Sequence, residues 1–381
     1  MKYCKKCLYP STKPHLWFKD GVCSACISFE DRLNNYDWDS GPKVFHEIMQ
    51  SKKKNPRYDC IVPVSGGKDS TYQVWKVIQQ GYTPLCVTAP TDQLTPIGRR
   101  NLSNIKNMGC DHIEYGVNPH VRKRINRHAF FTVGDIQWPE HLLIYTIPVI
   151  AAVQFNIPVI VWGECGIREY GAGRPEDANI KFFDRRILEE YGSLNGLRVS
   201  DLSQIDGVSE RDLYLYTYPD PKEVEKLGLC GIYLDNYFRW NGIANATISS
   251  SLGFEVSPHN IRSTIANYEN LDNYVHGLHD YQKYLKFGFS RATDIACNLI
   301  RRNLLSRDDA IELVKMHDGR YPLEYLGKSI VDILKYYNIS KQEFDDSCDD
   351  FTNYDLFEKS DGELIYRQDG SPKLISLFTD F

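Results

Sequence analysis

The feature that constrains this chain most is a six-residue turn, Ser65-Gly66-Gly67-Lys68-Asp69-Ser70. It lies between an apolar run at 60–64 and a helical pattern over 70–80. A short apolar run that ends in a glycine turn reads as a buried parallel strand. The alternation continues downstream. Residues 84–88 read as a second strand, 98–108 as a helix closed by Gly109, and 112–115 as a third strand. An apolar helix over 140–155 precedes a fourth strand at 158–162, and 232–234 is the candidate for a fifth. Strands alternating with helices imply a parallel α/β sheet.

Glycines permit positive φ and close backbone approach. Successive N–H groups at a helix N-terminus then form a nest for an anion. Ser65, Ser70 and Lys68 add donors and charge, whereas Asp69 suits a Mg²⁺ held beside phosphates. The turn lacks the glycine spacing and the Lys-Ser/Thr pair of a Walker A loop. It resembles instead the PP-loop of N-type ATP pyrophosphatases. That resemblance implies a HUP-like domain whose loop cradles the β,γ-phosphates of ATP as a leaving group.

Four of the eleven cysteines fall in the first 26 residues, as Cys4 with Cys7 and Cys23 with Cys26. Two such knuckles can wrap one tetrahedral Zn²⁺. A metal would supply the folding free energy that a small segment lacks. An iron–sulfur cluster and four free thiols are the alternatives. The odd cysteine total argues against a disulfide framework.

The 381 residues suggest two or three domains. The divisions read as a Cys₄ segment over 1–40, a PP-loop domain over 41–265 with an irregular insertion around 166–228, and a mostly helical region over 266–381 with an acidic tail. Ser306 reads as the N-cap of a helix over 307–314. The longest apolar run, 142–153, is interrupted by Pro148, whereas a membrane span needs about 20 residues. With no apolar core at the N-terminus, a cytoplasmic protein is expected. The net charge of −5 disfavours a general nucleic-acid surface.

Other candidates are placed by the strand pattern. Glu164 ends the fourth strand, where ligands of open α/β sheets sit. Lys68, Asp69 and Glu164 are the candidate catalytic residues, and Thr88 and Arg99 join the loop as candidate ATP contacts. Arg100, His141 and Arg291 are candidate substrate contacts, with Asp135 and Asp294 nearby in sequence. The basic run Arg122-Lys123-Arg124 with Arg127 reads as a solvated helix face.

Together, the cysteine pairs, the loop, Gly98-Arg99-Arg100-Asn101, Trp162-Gly163-Glu164 and the segment 286–294 resemble the N-acetyl sugar amidotransferase family of surface-polysaccharide and flagellar-sugar pathways. The resemblance implies adenylation of an acetamido oxygen by ATP, then replacement by ammonia to give an acetamidino sugar, AMP and pyrophosphate. It also implies a separate glutaminase, with a barrel partner like that of imidazole-glycerol-phosphate synthase. Consistently, the two Gly-x-Cys-x stretches, 163–167 and 228–232, end in Ile where a glutaminase elbow needs Gly, and position 2 is Lys rather than Cys. A second reading is a tRNA-modifying enzyme of the thiolation type. It needs a basic face and a sulfur-carrying cysteine near the loop, for which Cys60, Cys86, Cys110 and Cys165 are candidates. A third is an idle nucleotide-binding scaffold, which the intact loop disfavours.

Overall fold

The computed structural model describes residues 1–171 and 173–375. The chain begins with a hairpin, β1 (Phe18–Lys19) and β2 (Val22–Cys23), and two helices, α1 (Ser24–Asn35) and α2 (Gly41–Lys52). The sheet domain follows as β3 (Cys60–Pro63), α3 (Lys68–Gln79), β4 (Pro84–Thr88), α4 (Pro96–Asn107), β5 (Asp111–Glu114), α5 (Pro119–Val133), α6 (Trp138–Phe155) and β6 (Val159–Trp162). After α7 (Gly166–Tyr170), β7 (Phe182–Phe183), α8 (Arg185–Tyr191) and α9 (Pro221–Leu227), the chain returns through β8 (Cys230–Tyr233) to α10 (Gly242–Ser251).

The sheet order is β5-β4-β3-β6-β8-β7. All neighbours are parallel except the edge pair β7–β8. From β3 the chain winds outward through β4 and β5, then restarts on the other side at β6. The switch point therefore lies between β3 and β6, and a crevice opens there at the carboxyl ends. The loop at 65–70 follows β3 and Glu164 follows β6, so the winding brings both to that crevice.

Side chains alternate across the sheet, as its two-residue period requires. Ile61, Leu85, Val87 and Ile160 join one buried cluster with α5 and α6. Cys60, Val62, Cys86, Val161 and Ile232 join another with α2, α3 and α4. Burial on both faces explains why these strands read as continuous apolar runs.

The predicted helical region consists of α11 (His276–Phe287), α12 (Arg291–Arg301), α13 (Arg307–His317), α14 (Ile330–Tyr336) and α15 (Lys341–Asp350). Ser306 does cap α13, accepting the Asp309 N–H at 3.1 Å. Phe357 and Leu374 from the tail are buried in this region's own core. The predicted tail residues 376–381 lie outside the described residues. The cysteine segment does not stand apart: it is buried against Phe289, Ala296, Cys297 and Ala310 of the C-terminal region.

Two expectations are filled in and one needs correction. The apolar helix expected over 140–155 is α6, which runs through Pro148. The irregular insertion holds the short helices α7, α8 and α9, interleaved with 3₁₀ turns that include 199–204 and 210–216. Arg122 is not solvated. It is buried, with Nη2 2.5 Å from Glu140 Oε1, and its Nε donates to Asn126. A charge run looks solvated only while its partner, here on the next helix, is unseen.

Candidate active site

Helix α3 begins inside the turn, with Gly67 as its N-cap residue. Gly66 takes φ = +80°. A Cβ on it would stand 2.6 Å from the Leu102 backbone nitrogen of α4, so the contact admits glycine alone. Hydroxyls hold the loop. Ser70 Oγ donates to the Gly67 carbonyl at 3.0 Å and accepts the Ser65 N–H at 3.3 Å. Ser249 Oγ of α10 donates to the Lys68 carbonyl at 2.6 Å. A cavity of about 160 Å³ opens directly against the turn, between it, Asn101 and Tyr268.

The charges beside the turn are closely matched. Lys68 is buried, with Nζ 2.6 Å from Asp69 Oδ2 and 2.5 Å from Glu269 Oε1. Burial opposes its ammonium, but the two carboxylates outweigh that cost and raise its pKa well above the usual value. Asn245 donates to Asp69 Oδ1 at 2.9 Å. Glu164 lines the same space as Asp69. Burial, then repulsion by Asp69, pushes the Glu164 carboxyl up to about 8. Carboxylates that repel one another beside a phosphate nest are a fitting donor set for Mg²⁺, which takes oxygen ligands and keeps its phosphates close. Asp69, Glu164 and Glu269 are the residues that would hold it.

A larger cavity of about 880 Å³ joins this crevice to the C-terminal region. Ser65, Asp69 and Glu164 line it from the sheet, Lys283 and Arg291 from the helices, and Lys13 from the cysteine segment. Lys13 Nζ lies 3.6 Å from Asp294 Oδ1. Burial pulls the Lys13 pKa down to about 8 even with that partner. Asp294 also accepts the Tyr9 hydroxyl at 3.0 Å and pairs with Lys283. Although burial opposes it, Lys283, Lys13 and Arg291 hold the Asp294 carboxyl well below the usual range.

Of the residues expected from sequence, the loop, Glu164, His141 and Arg291 all line cavities that meet at Asp69 or Glu164. Three others are not brought there. Arg99 pairs with Glu114 at 2.7 Å and Arg100 with Glu255 at 2.8 Å, both in exposed positions. The buried Thr88 hydroxyl donates to Val64 O, and His112 Nε2 lies 2.7 Å from it. Residues the sequence did not single out, Glu269, Asn245, His276 and His279, arrive from distant parts of the chain. Candidate sulfur carriers fare differently: Cys60 and Cys86 are sheet core, and Cys165 lines the cavity with its thiol raised by burial.

The four N-terminal cysteines are buried, and their sulfurs lie within 4.8 Å of one another. Cys7 Sγ is 3.6 Å from Cys23 Sγ, and Cys4 Sγ is 4.0 Å from Cys26 Sγ. Tetrahedral Zn–S bonds place sulfurs about 3.8 Å apart, so the set fits zinc. Backbone N–H groups of Lys6 and Cys23 point at Cys4 Sγ, and that of Tyr9 at Cys7 Sγ. Four thiolates would close the coordination sphere, leaving a structural role.

Residues 262–368 match the family described as "LPS biosynthesis protein WbpG-like, C-terminal domain". That stretch contains α11 to α15 and supplies Lys283 and Arg291 to the cavity. No curated protein matches the chain. Among solved structures, NMN synthetase from Francisella tularensis is similar at 12% identity, covering 59% of this chain and 99% of that one, with a TM-score of 0.28. NAD⁺ synthetase from Burkholderia pseudomallei is similar at 14% identity, covering 60% of this chain and 93% of that one, with a TM-score of 0.27.

Proposed function

We propose that this chain, with its WbpG-like C-terminal region, is an ATP-dependent amidotransferase that converts an acetamido sugar to an acetamidino sugar in surface-polysaccharide synthesis. The observation that carries the reading is one cavity shared by two parts. The phosphate-nest turn and Glu164 form one side, and the region matched to a lipopolysaccharide-biosynthesis family supplies Lys283 and Arg291.

The 65–70 turn receives the β,γ-phosphates, with Lys68 countering their charge. When bound beside Asp69 and Glu164, Mg²⁺ supplies further neutralisation of the triphosphate. The amide oxygen attacks the α-phosphorus, an O–P bond forms, and pyrophosphate leaves. Ammonia then adds to the imidate carbon, the C–O bond breaks, and AMP departs with the former amide oxygen. The nitrogen sheds a proton in this step. Solvent or excess ammonia takes that proton, because Glu164 is committed to holding Mg²⁺. Lys283 and Arg291 give the acceptor end a cationic wall that suits an anionic sugar or sugar nucleotide.

Ammonia is assigned to a separate glutaminase with its barrel partner, because Cys165 and Cys230 lack the elbow sequence and burial raises both thiols. The test is release of AMP from ATP by the purified chain with ammonium and a panel of acetamido sugars. AMP and pyrophosphate appearing only when both co-substrates are present support the reading. Appearance of ADP and phosphate instead excludes adenylation.

A further inference from the structure

The large cavity contains a second cluster that the amidation chemistry does not use. Asp135 lies in the turn between α5 and α6, His141 in the first turn of α6, and His279 in the first turn of α11. His279 Nδ1 is 3.0 Å from Asp135 Oδ1, and His141 Nδ1 is 3.3 Å from Asp135 Oδ2. One ligand atom from each of the three lies within 4.8 Å of the others. The imidazole rings are not stacked: they meet edge to face at 73° with centroids 5.2 Å apart. All three residues line the cavity.

Hydrogen bonding leaves this cluster incomplete. Asp135 is almost fully buried, and its Oδ1 already accepts the Gln137 N–H at 2.9 Å. His141 Nδ1 is a buried nitrogen without a hydrogen-bond partner, although it sits at ion-pair distance from the carboxylate. Buried polar atoms are nearly always satisfied, so an unmatched one calls for a missing partner. Asp135 Oδ2, at 3.3 Å, is the acceptor nearest to it, and the other neighbours are engaged elsewhere. Glu140 is held by Arg122, and Lys286 Nζ donates to the Gly134 carbonyl at 2.8 Å.

We infer that Asp135, His141 and His279 form a divalent-cation site in the wall of the cavity, separate from the phosphate turn and from the four cysteines. Two imidazole nitrogens and one carboxylate oxygen suit Zn²⁺, Mn²⁺ or Co²⁺ rather than a hard cation that demands all-oxygen ligands. Bonds of about 2.0–2.2 Å to adjacent ligands put donor atoms about 3.0–3.5 Å apart, a spacing that each imidazole meets with one of the two Asp135 oxygens, His279 with Oδ1 and His141 with Oδ2. The backbone N–H on Asp135 Oδ1 fixes the carboxylate, as outer partners of metal ligands commonly do. Three protein ligands leave coordination positions open toward the cavity, where hydroxyl or carbonyl oxygens of a bound acceptor can enter. The inference stands on these residues alone and requires no step of the proposed reaction.

Metal counting on the full chain tests it. The protein and its His141→Ala and His279→Ala variants are saturated with Zn²⁺, passed through gel filtration to remove loosely held metal, and analysed by mass spectrometry. Circular dichroism checks that each variant is folded. Each variant is expected to retain one equivalent fewer than the unmodified chain. Equal metal counts in the unmodified chain and both folded variants would overturn the site. Mn²⁺ titration followed by electron paramagnetic resonance provides a second readout that favours the nitrogen–oxygen site over thiolates. Loss of one tight Mn²⁺ site in both variants agrees with the assignment, and unchanged Mn²⁺ binding contradicts it.

Discussion

Single residues set both the geometry of the turn and its charge. Gly66 combines φ = +80° with a backbone neighbour 2.6 Å from any added Cβ. Gly66→Ala should therefore lower stability by at least the roughly 1–3 kcal/mol of a strained left-handed residue, and should abolish ATP-dependent activity. Thermal unfolding and AMP release check the two effects. Glu164 offers a pH signature. Its carboxyl titrates near 8 in the folded chain but near the ordinary 4.5 when unfolded. Between those values the folded state keeps a proton that the unfolded state has lost, so this group makes stability fall as pH rises. Glu164→Gln should flatten that decline in thermal unfolding measured from pH 5 to 8, and should also slow AMP formation. An unchanged slope would show that Glu164 is not the group responsible. The buried Arg122–Glu140 pair makes a separate prediction. Arg122→Ala leaves a buried carboxylate without its partner and should cost about 3–5 kcal/mol in denaturant unfolding.

At the scale of elements, the cysteine segment and the C-terminal helices behave as one packed unit. Cys297 of α12 accepts the Leu8 N–H at 3.3 Å, and Lys13 reaches across to Asp294. Cys4→Ser with Cys26→Ser should therefore loosen more than residues 1–40. Hydrogen exchange should also speed up in α12 and α13. Exchange confined to the first forty residues would show that the knuckle is an independent appendage.

This scale also separates what could be read from sequence from what could not. The turn and the cysteine pairs were legible because each is written within a few residues, where local spacing dictates geometry. The strands were legible because burial on both faces leaves unbroken apolar runs. Thr88 ends β4 beside β3, and Arg99 and Arg100 lie near the start of α4, yet strand alternation and surface carboxylates turn them elsewhere. Glu269 and His279 could not be foreseen in the same way. They reach the site only because α4 docks against the C-terminal region, where a Cβ on Gly98 would lie 2.6 Å from the Asp272 Cα and Thr95 N–H donates to Asp272 O at 2.8 Å. Such long-range contacts leave no periodic trace in a single sequence.

At the scale of the whole molecule, the account rests on the cavity shared by the sheet and the helical region. Arg291 faces it from α12, while the phosphate turn faces it from the sheet. Arg291→Ala is expected to raise the KM for the acceptor more than tenfold, with little change in the affinity for ATP. Lys68→Ala should weaken ATP binding instead. Ammonium should support turnover by the isolated chain, whereas glutamine should do so only with the glutaminase present. Among the described residues no helix is long and apolar enough to cross a membrane. The most direct measurement follows the amide oxygen. An acetamido sugar labelled with ¹⁸O in its amide carbonyl is turned over with ATP and ammonium, and the products are weighed by mass spectrometry. The account predicts that the label leaves in AMP and that the sugar loses about one mass unit beyond its label, as NH replaces oxygen. Label retained in the sugar, or recovered in inorganic phosphate with ADP, would contradict it.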